Sequence, residues 1–317
     1  MVPEPSSNFT HASSWANDWQ NLFYFEVGIF VFFSLLIFSV IFYFAVKYRR
    51  RAGNETPPPT KDCLPLEVTW TAVPAAICVV MFLWGAALFV RNGVPPAGAT
   101  EIFVVGKQWM WKIQYPDGRR DINELHVPVG VPIKLTMASE DVIHDFAIPA
   151  FRIKKDVVPG HYTTLWFTAT KTGRYHLYCD QYCGTSHSAM VGWVTVMEPE
   201  EYTQWLSGSG GGKSLAEAGA DLYKQYACNT CHDIGRGPSF VGLYGTPVKL
   251  SNGQTVLADD AYIRESILNP SAKIVAGYTP LMPTFQGQLG EEQILQLTAY
   301  IKSLAKHEGE ERKLAKP

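Results

Sequence analysis

The chain has 317 residues, a formal net charge of −2 and 18% charged residues. That length accommodates two domains and a membrane part, and a charge so close to zero excludes a strongly basic, nucleic-acid-binding surface. Six cysteines occur, four of them inside two short motifs, so the remaining Cys63 and Cys78 are too few for a disulfide framework.

Residues 1–21 contain no Lys or Arg. Without a basic n-region, no cleavable signal peptide is expected. Val27 to Val46 reads VGIFVFFSLLIFSVIFYFAV, and Val68 to Val90 is a second apolar run interrupted by Pro74 and Gly85. About 20 residues at 1.5 Å rise cross the ~30 Å hydrocarbon core, so a hairpin over 22–92 is expected, with helices at about 22–47 and 67–90. Two buried helices of a soluble protein are the alternative, but runs this long leave no polar face. The loop 48–66 and its borders hold Lys47, Arg49, Arg50, Arg51 and Lys61. The positive-inside rule puts this loop in the cytoplasm and both flanking segments outside. Cys78 reads as an inert small core residue, and Cys63 as a free thiol tolerated on the reducing side.

From Thr100 to Leu206 the pattern changes to short alternating runs such as EIFVVGKQWMWKIQY, HYTTLWFTAT and VGWVTVM, broken by Gly and Pro. This texture predicts a β-sandwich or barrel. The segment Cys179-Asp180-Gln181-Tyr182-Cys183-Gly184-Thr185-Ser186-His187-Ser188-Ala189-Met190 packs two thiols, an imidazole and a thioether into one loop. A blue-copper site needs two His, one Cys and an axial Met. The second Cys exceeds that set and suits two bridged coppers, each completed by an imidazole, with a thioether and a backbone carbonyl as weak axial donors. His144 is the best second imidazole, with His126, His161 and His176 competing. A Cys2His2 zinc site is the rival reading, although zinc has no use for the Met.

Residues 207–213 are a Gly/Ser tether whose ends stay within roughly 15 Å. The domains on either side carry net charges of −2 (100–206) and zero (213–317). Long-range attraction is therefore weak, and the tether is expected to keep the domains together. Ser214-Leu215-Ala216-Glu217 reads as a capping box. Cys228-Asn229-Thr230-Cys231-His232 is a covalent haem c attachment sequence, with His232 as proximal ligand. Met282, in Gly277-Tyr278-Thr279-Pro280-Leu281-Met282-Pro283, is the expected sixth ligand; His307, in the charged tail 307–317, is its rival. Leu297 and Tyr300 on a final helix are expected to pack on Gly219 and Tyr223.

Val142-Ile143-His144-Asp145-Phe146-Ala147-Ile148-Pro149 and the Cys-x3-Cys-x3-His-x2-Met loop resemble the dinuclear CuA site of cytochrome c oxidase subunit II. The haem motif, Gly-Pro loop, Met-Pro and final helix over 214–306 are similar to a class I cytochrome c. Together these imply a multidomain membrane protein: a two-helix transmembrane hairpin, a cupredoxin-like CuA domain over 100–206 and an all-α cytochrome c domain. The resemblance implies His144, Cys179, Cys183, His187 and Met190 as copper ligands, with the Gln181 main-chain carbonyl. It aligns Trp109, in Gly106-Lys107-Gln108-Trp109-Met110-Trp111, with the residue through which electrons arrive. Glu67, in Leu66-Glu67-Val68-Thr69-Trp70-Thr71, aligns with an acid at the mouth of a proton pathway; otherwise it is a solvated helix start. In the cytochrome family the carbonyl at Pro238 receives the proximal His N–H. Position 181 is Glu in many relatives and helps bind Mg²⁺, whereas Gln181 is a weaker ligand for a hard cation, which weakens the case for Mg²⁺ here.

The implied function is electron transfer from a donor, such as a cytochrome c or a quinol-oxidising complex, through haem c and CuA to subunit I, where oxygen is reduced. Further membrane subunits such as subunit III, and a bacterial inner membrane with both metal domains on the periplasmic side, belong to that expectation. Two other readings stay open: the CuA subunit of a nitric-oxide reductase, against which Glu67 speaks, and a tethered copper or zinc storage module, against which the cytochrome domain speaks.

Overall fold

The computed structural model describes residues 10–49, 62–208 and 213–314, with side chains as far as residue 305. Arg50, Arg51 and Lys61 of the basic loop, tether residues 209–212 and the side chain of His307 lie outside the described residues. Ser14–Val94 forms one compact unit, and the residues up to Ser13 with those from Pro95 onward form another.

The first unit is a helical hairpin of α1 (Ala16–Lys47) and α2 (Leu64–Asn92). Both helices extend beyond their apolar runs. Asp18 in the first turn of α1 forms an ion pair with Arg91 in the last turn of α2, and the Arg91 guanidinium lies 5.2 Å from the Trp15 ring. Phe30, Phe38, Phe42, Phe82 and Phe89 are all exposed on the hairpin. Cys78 is exposed as well, contrary to the core role expected from its apolar surroundings. A two-helix hairpin has too little interior to cover it.

In the second unit, residues 100–197 form two five-stranded sheets. One runs β3 (Arg120–Ile122), β2 (Met110–Gln114), β1 (Thr100–Lys107), β5 (Pro132–Ser139), β8 (Thr163–Thr168). The other runs β4 (Glu124–Pro128), β10 (Val191–Met197), β9 (Gly173–Cys179), β6 (His144–Ile148), β7 (Ile153–Val157). Side chains alternate between faces along a strand, so Tyr175, Leu177 and Cys179 all point inward from β9. Phe146 pairs with Cys179 across β6 and β9, which sets His144, two residues away on the same face, beside the end of β9. Trp111 fills the space behind, with its ring 5.0 Å from Phe146 and 5.8 Å from His144.

Helix α3 (Pro199–Ser207) closes the sandwich and was not foreseen in the sequence. Its Trp205 stacks on His126 at 4.2 Å and lies under the Arg119 guanidinium at 3.5 Å.

The haem-motif domain contains α4 (Leu215–Gln225), the short α5 (Asn229–His232), α6 (Asp260–Leu268) and α7 (Glu291–Leu314). The Ser214–Glu217 capping box forms at the start of α4. Helices α4 and α7 cross at Gly219, where a Cβ would lie 2.0 Å from the Gln296 carbonyl oxygen. Tyr223 and Tyr300 rings meet at 5.3 Å, and Leu297 joins the same buried cluster, as expected from the sequence.

The two domains of this unit touch directly. Phe103 and Val105 of β1 share an apolar cluster with Leu215 and Leu295. Lys302 of α7 bonds Glu101 of β1 at 2.9 Å, and Arg120 pairs with Glu292 at 2.8 Å. Net domain charges give no hint of this contact, because each pair is local.

Candidate copper centre and haem pocket

The loop between β9 and β10 folds back on itself and gathers its sulfur atoms. Cys179 Sγ lies 3.7 Å from Cys183 Sγ, 3.9 Å from His144 Nδ1 and 3.2 Å from the Gln181 carbonyl oxygen. Cys183 Sγ lies 3.5 Å from His187 Nδ1 and 3.8 Å from Met190 Sδ. The two sulfurs are thus shared neighbours, with one imidazole beside each. His144, Cys179, Cys183 and Met190 are buried, and His187 is half-buried. The three competing histidines are placed elsewhere: His126 stacks on Trp205, His176 lies tilted against Trp193 at 4.1 Å, and His161 is exposed.

Electrostatics favour one thiolate and oppose a second in the absence of a cation. Burial alone raises the Cys179 thiol, but hydrogen bonds from His144 and from nearby backbone outweigh it and bring it down to about 7. Burial and the neighbouring Cys179 push Cys183 up to about 12. Two close sulfurs that cannot both ionise alone call for positive charge between them.

Two supports of the loop escaped the sequence reading. Asp141 accepts from Nε2–H of His144 at 2.9 Å and from the backbone N–H of Gln108 at 2.8 Å. The bond fixes the imidazole with Nδ1 toward the sulfurs, the usual support of a ligating histidine. Asp141 lies three residues before His144, and that spacing was the available signal. Gln108 and Trp109 both donate to the Cys183 carbonyl, at 2.8 and 3.2 Å. Gly184, at φ +113°, lets them approach: a Cβ there would sit 2.9 Å from Gln108 Nε2.

A second concavity, of about 310 Å³, lies in the helical domain and is lined by Cys228, Cys231, His232 and Met282 among mostly apolar neighbours. His232 Nδ1–H donates to the Pro238 carbonyl at 2.7 Å, which leaves Nε2 free for iron. Burial lowers the His232 pKa, in keeping with a neutral ligand. Glu67 lies in the first turn of α2.

Comparison with known proteins decides the family. Residues 119–197 match the model described as the periplasmic domain of cytochrome c oxidase subunit II, and residues 6–88 match its transmembrane domain. Residues 214–301 match cytochrome c oxidase, cbb3-type, subunit III. Cytochrome c oxidase subunit 2 of Thermostichus vulcanus is 32% identical over 225 residues, spanning 54% of this chain and 68% of that protein. The chain belongs to the cytochrome c oxidase subunit 2 family. The subunit 2 of Alkalihalophilus pseudofirmus is 28% identical over 292 residues, spanning 86% of this chain and 82% of its own length. The crystal structure of the periplasmic domain of subunit II (CoxB) of Bradyrhizobium japonicum is 32% identical over 37% of this chain and 96% of that one, with a TM-score of 0.35.

Membership makes this a membrane protein with extracytoplasmic domains, and its homologues are subunits of a haem–copper oxidase. The subunit II domain implies CuA copper, and the cytochrome domain implies haem c. The residues present fit both groups. The sulfur and nitrogen donors already converge, and the apolar cavity carries the attachment cysteines together with a His and a Met in its lining.

Proposed function

We propose that this chain is the electron-transfer subunit of a proton-pumping cytochrome c oxidase. It receives electrons from a donor such as a cytochrome c or a quinol-oxidising complex. It delivers them to the haem–copper centre of subunit I, where oxygen is reduced. When bound, a copper pair and a haem c would each supply reversible one-electron exchange.

The protein's own residues do the holding and shielding. Cys179, Cys183, His144 and His187 would hold the coppers, with Met190 and the Gln181 carbonyl as weaker donors. Asp141 keeps the His144 ring in one tautomer and orientation. Burial of both thiols excludes water and limits rearrangement when charge changes. In the haem domain Cys228 and Cys231 would attach the haem, and His232 and Met282 would hold its iron. Iron ligation by a histidine and a thioether would raise the haem potential, which suits respiratory electrons.

Trp109, hydrogen-bonded to the loop that holds the coppers, is the position through which electrons reach that loop. Glu67 marks the proton-uptake mouth on the cytoplasmic side. The basic residues between the two helices orient the chain in a bacterial inner membrane with both metal domains outside, alongside subunit I and further subunits such as subunit III.

The observation that carries this reading is the run of contacts from His144 through Cys179 and Cys183 to His187 and Met190, none longer than 3.9 Å. Metal and haem analysis of the purified complex, with oxygen and nitric-oxide consumption assays, tests it. Oxygen consumption with copper and haem c present is the expected result; nitric-oxide consumption without oxygen reduction would replace the oxidase with a reductase.

A further inference from the structure

The strand β1 face that carries Glu101, Phe103 and Val105 is the outer side of its sheet, since Ile102 and Val104 turn into the sandwich. An outward Phe and Val on a solvated sheet would be costly, yet Phe103 is 3% exposed and Val105 0%. Leu215 and Leu295 of the helical domain cover them, with Tyr162 and Ala299 at the edge. Around this apolar centre stand charges that no solvent-exposed contact would bury. Lys302 bridges Glu101 at 2.9 Å and Asp260 at 2.8 Å, while Glu101 also accepts from Lys134 at 2.7 Å and Thr136 at 2.6 Å. Arg264 is held by Glu291 and donates to the Gly160 carbonyl of the copper domain at 2.6 Å. Arg120 and Glu292 close the rim at 2.8 Å.

The helical domain reaches this face with one side of α6 and α7. On α6, Asp260 and Arg264, one turn apart, serve the interface, whereas Ile263 and Ile267 line the haem cavity. On α7, Leu295, Ala299 and Lys302 serve the interface, whereas Ile301 lines the cavity. These two helices therefore stand between the cavity and the copper domain. Cys228, Cys231, Arg236 and Leu281 also line the cavity and take no part in these inter-domain contacts, and Leu281 is 66% exposed.

We propose that the β1 face centred on Glu101, Phe103 and Val105 is a fixed docking surface for this chain's own haem domain, which it holds by the back with the haem mouth turned outward to the electron donor. A buried apolar centre ringed by partly buried ion pairs is screened little by salt. The domain is then a rigid module and does not swing on the Gly/Ser stretch. The inference rests on the proposed haem site only for the identity of what the mouth admits.

The test cuts the full-length chain, in its membrane complex, at a protease site placed between Gly208 and Gly212. Gel filtration at micromolar concentration, followed by protein staining, reads whether the C-terminal fragment stays with the membrane part. Retention of most of the fragment at both low and high salt is expected, and its release from the wild-type chain overturns the docking. Leu295→Arg on one side and Phe103→Ser on the other should each release it; retention in both variants also overturns the proposal. Copper and haem content, measured separately on the same samples, report misfolding of either domain and the fate of the metal assignments. The orientation is read from haem reduction by dithionite. An uncovered mouth gives rates within about twofold for the intact chain and the Leu295→Arg variant; an increase of tenfold on undocking shows that the mouth was covered.

Discussion

The indole N–H of Trp109 donates to the Cys183 carbonyl at 3.2 Å, joining the turn after β1 to the loop that holds both sulfurs. Gln108 donates to the same oxygen at 2.8 Å. Two neighbours from one turn thus brace the backbone of the second cysteine, and the half-buried indole links that cysteine to the surface.

Trp109→Phe keeps an aromatic ring and removes the N–H. With Gln108 still bonded, copper content should remain that of the wild type. Reduction of the copper centre, followed by stopped-flow absorbance, should slow by at least tenfold. An unchanged rate would reduce Trp109 to a packing residue.

Met190 and Cys183 lie 3.8 Å apart through their sulfurs but should respond differently to substitution. Met190→Leu removes a weak axial donor, so both coppers should stay bound with a changed potential. Cys183→Ser removes a bridge and should leave no dinuclear centre. Copper analysis combined with redox titration separates the two outcomes; equal copper loss in both variants would contradict the assigned roles.

Met282→His should lower the haem potential while covalent attachment through Cys228 and Cys231 persists, because a thioether favours the reduced state more than an imidazole does. A potentiometric titration reads the shift. No shift would mean that another residue is the sixth ligand.

Much of the copper loop was legible because four side-chain donors fall within twelve consecutive residues, and a short loop leaves their donors little choice but to converge. His144 was not settled by spacing, since it lies 35 positions from Cys179. Only the pairing of Phe146 with Cys179 brings it in. Asp141 left only its three-residue spacing from His144 as a signal, and the bonds of Gln108 to Asp141 and Cys183 span 33 and 75 positions, which leaves no periodic trace. The interface between the domains was invisible for a related reason. Glu101 and Lys302 stand 201 positions apart, and net domain charges near zero conceal pairs that are strong only locally. Sequence alternation marked β1 as a strand but not what would cover its outer Phe103 and Val105.

Glu101 makes the stability of that interface pH-dependent. Burial raises its carboxyl, but Lys302, followed by Lys134 and Thr136, outweighs burial and holds it at about 2, against an ordinary 4.5. The folded state thus takes up this proton last as pH falls. The stabilisation is complete above about pH 4.5 and is lost toward pH 2. It amounts to about 3 kcal/mol as an order of magnitude. Glu101→Gln should lower stability at neutral pH and flatten the pH dependence between pH 5 and 2, measured by denaturant unfolding across a pH series. An identical slope in the variant would remove Glu101 from the acid response.

We propose that the two sulfurs 3.7 Å apart hold two coppers as one electron-exchanging unit. Copper, zinc and haem counts on the purified chain, with an EPR spectrum of the oxidised form, test it directly. Two coppers and one covalent haem per chain are predicted, with a hyperfine pattern from one unpaired electron shared equally by both copper nuclei. One zinc, or a single copper with the spectrum of a mononuclear site, would contradict it.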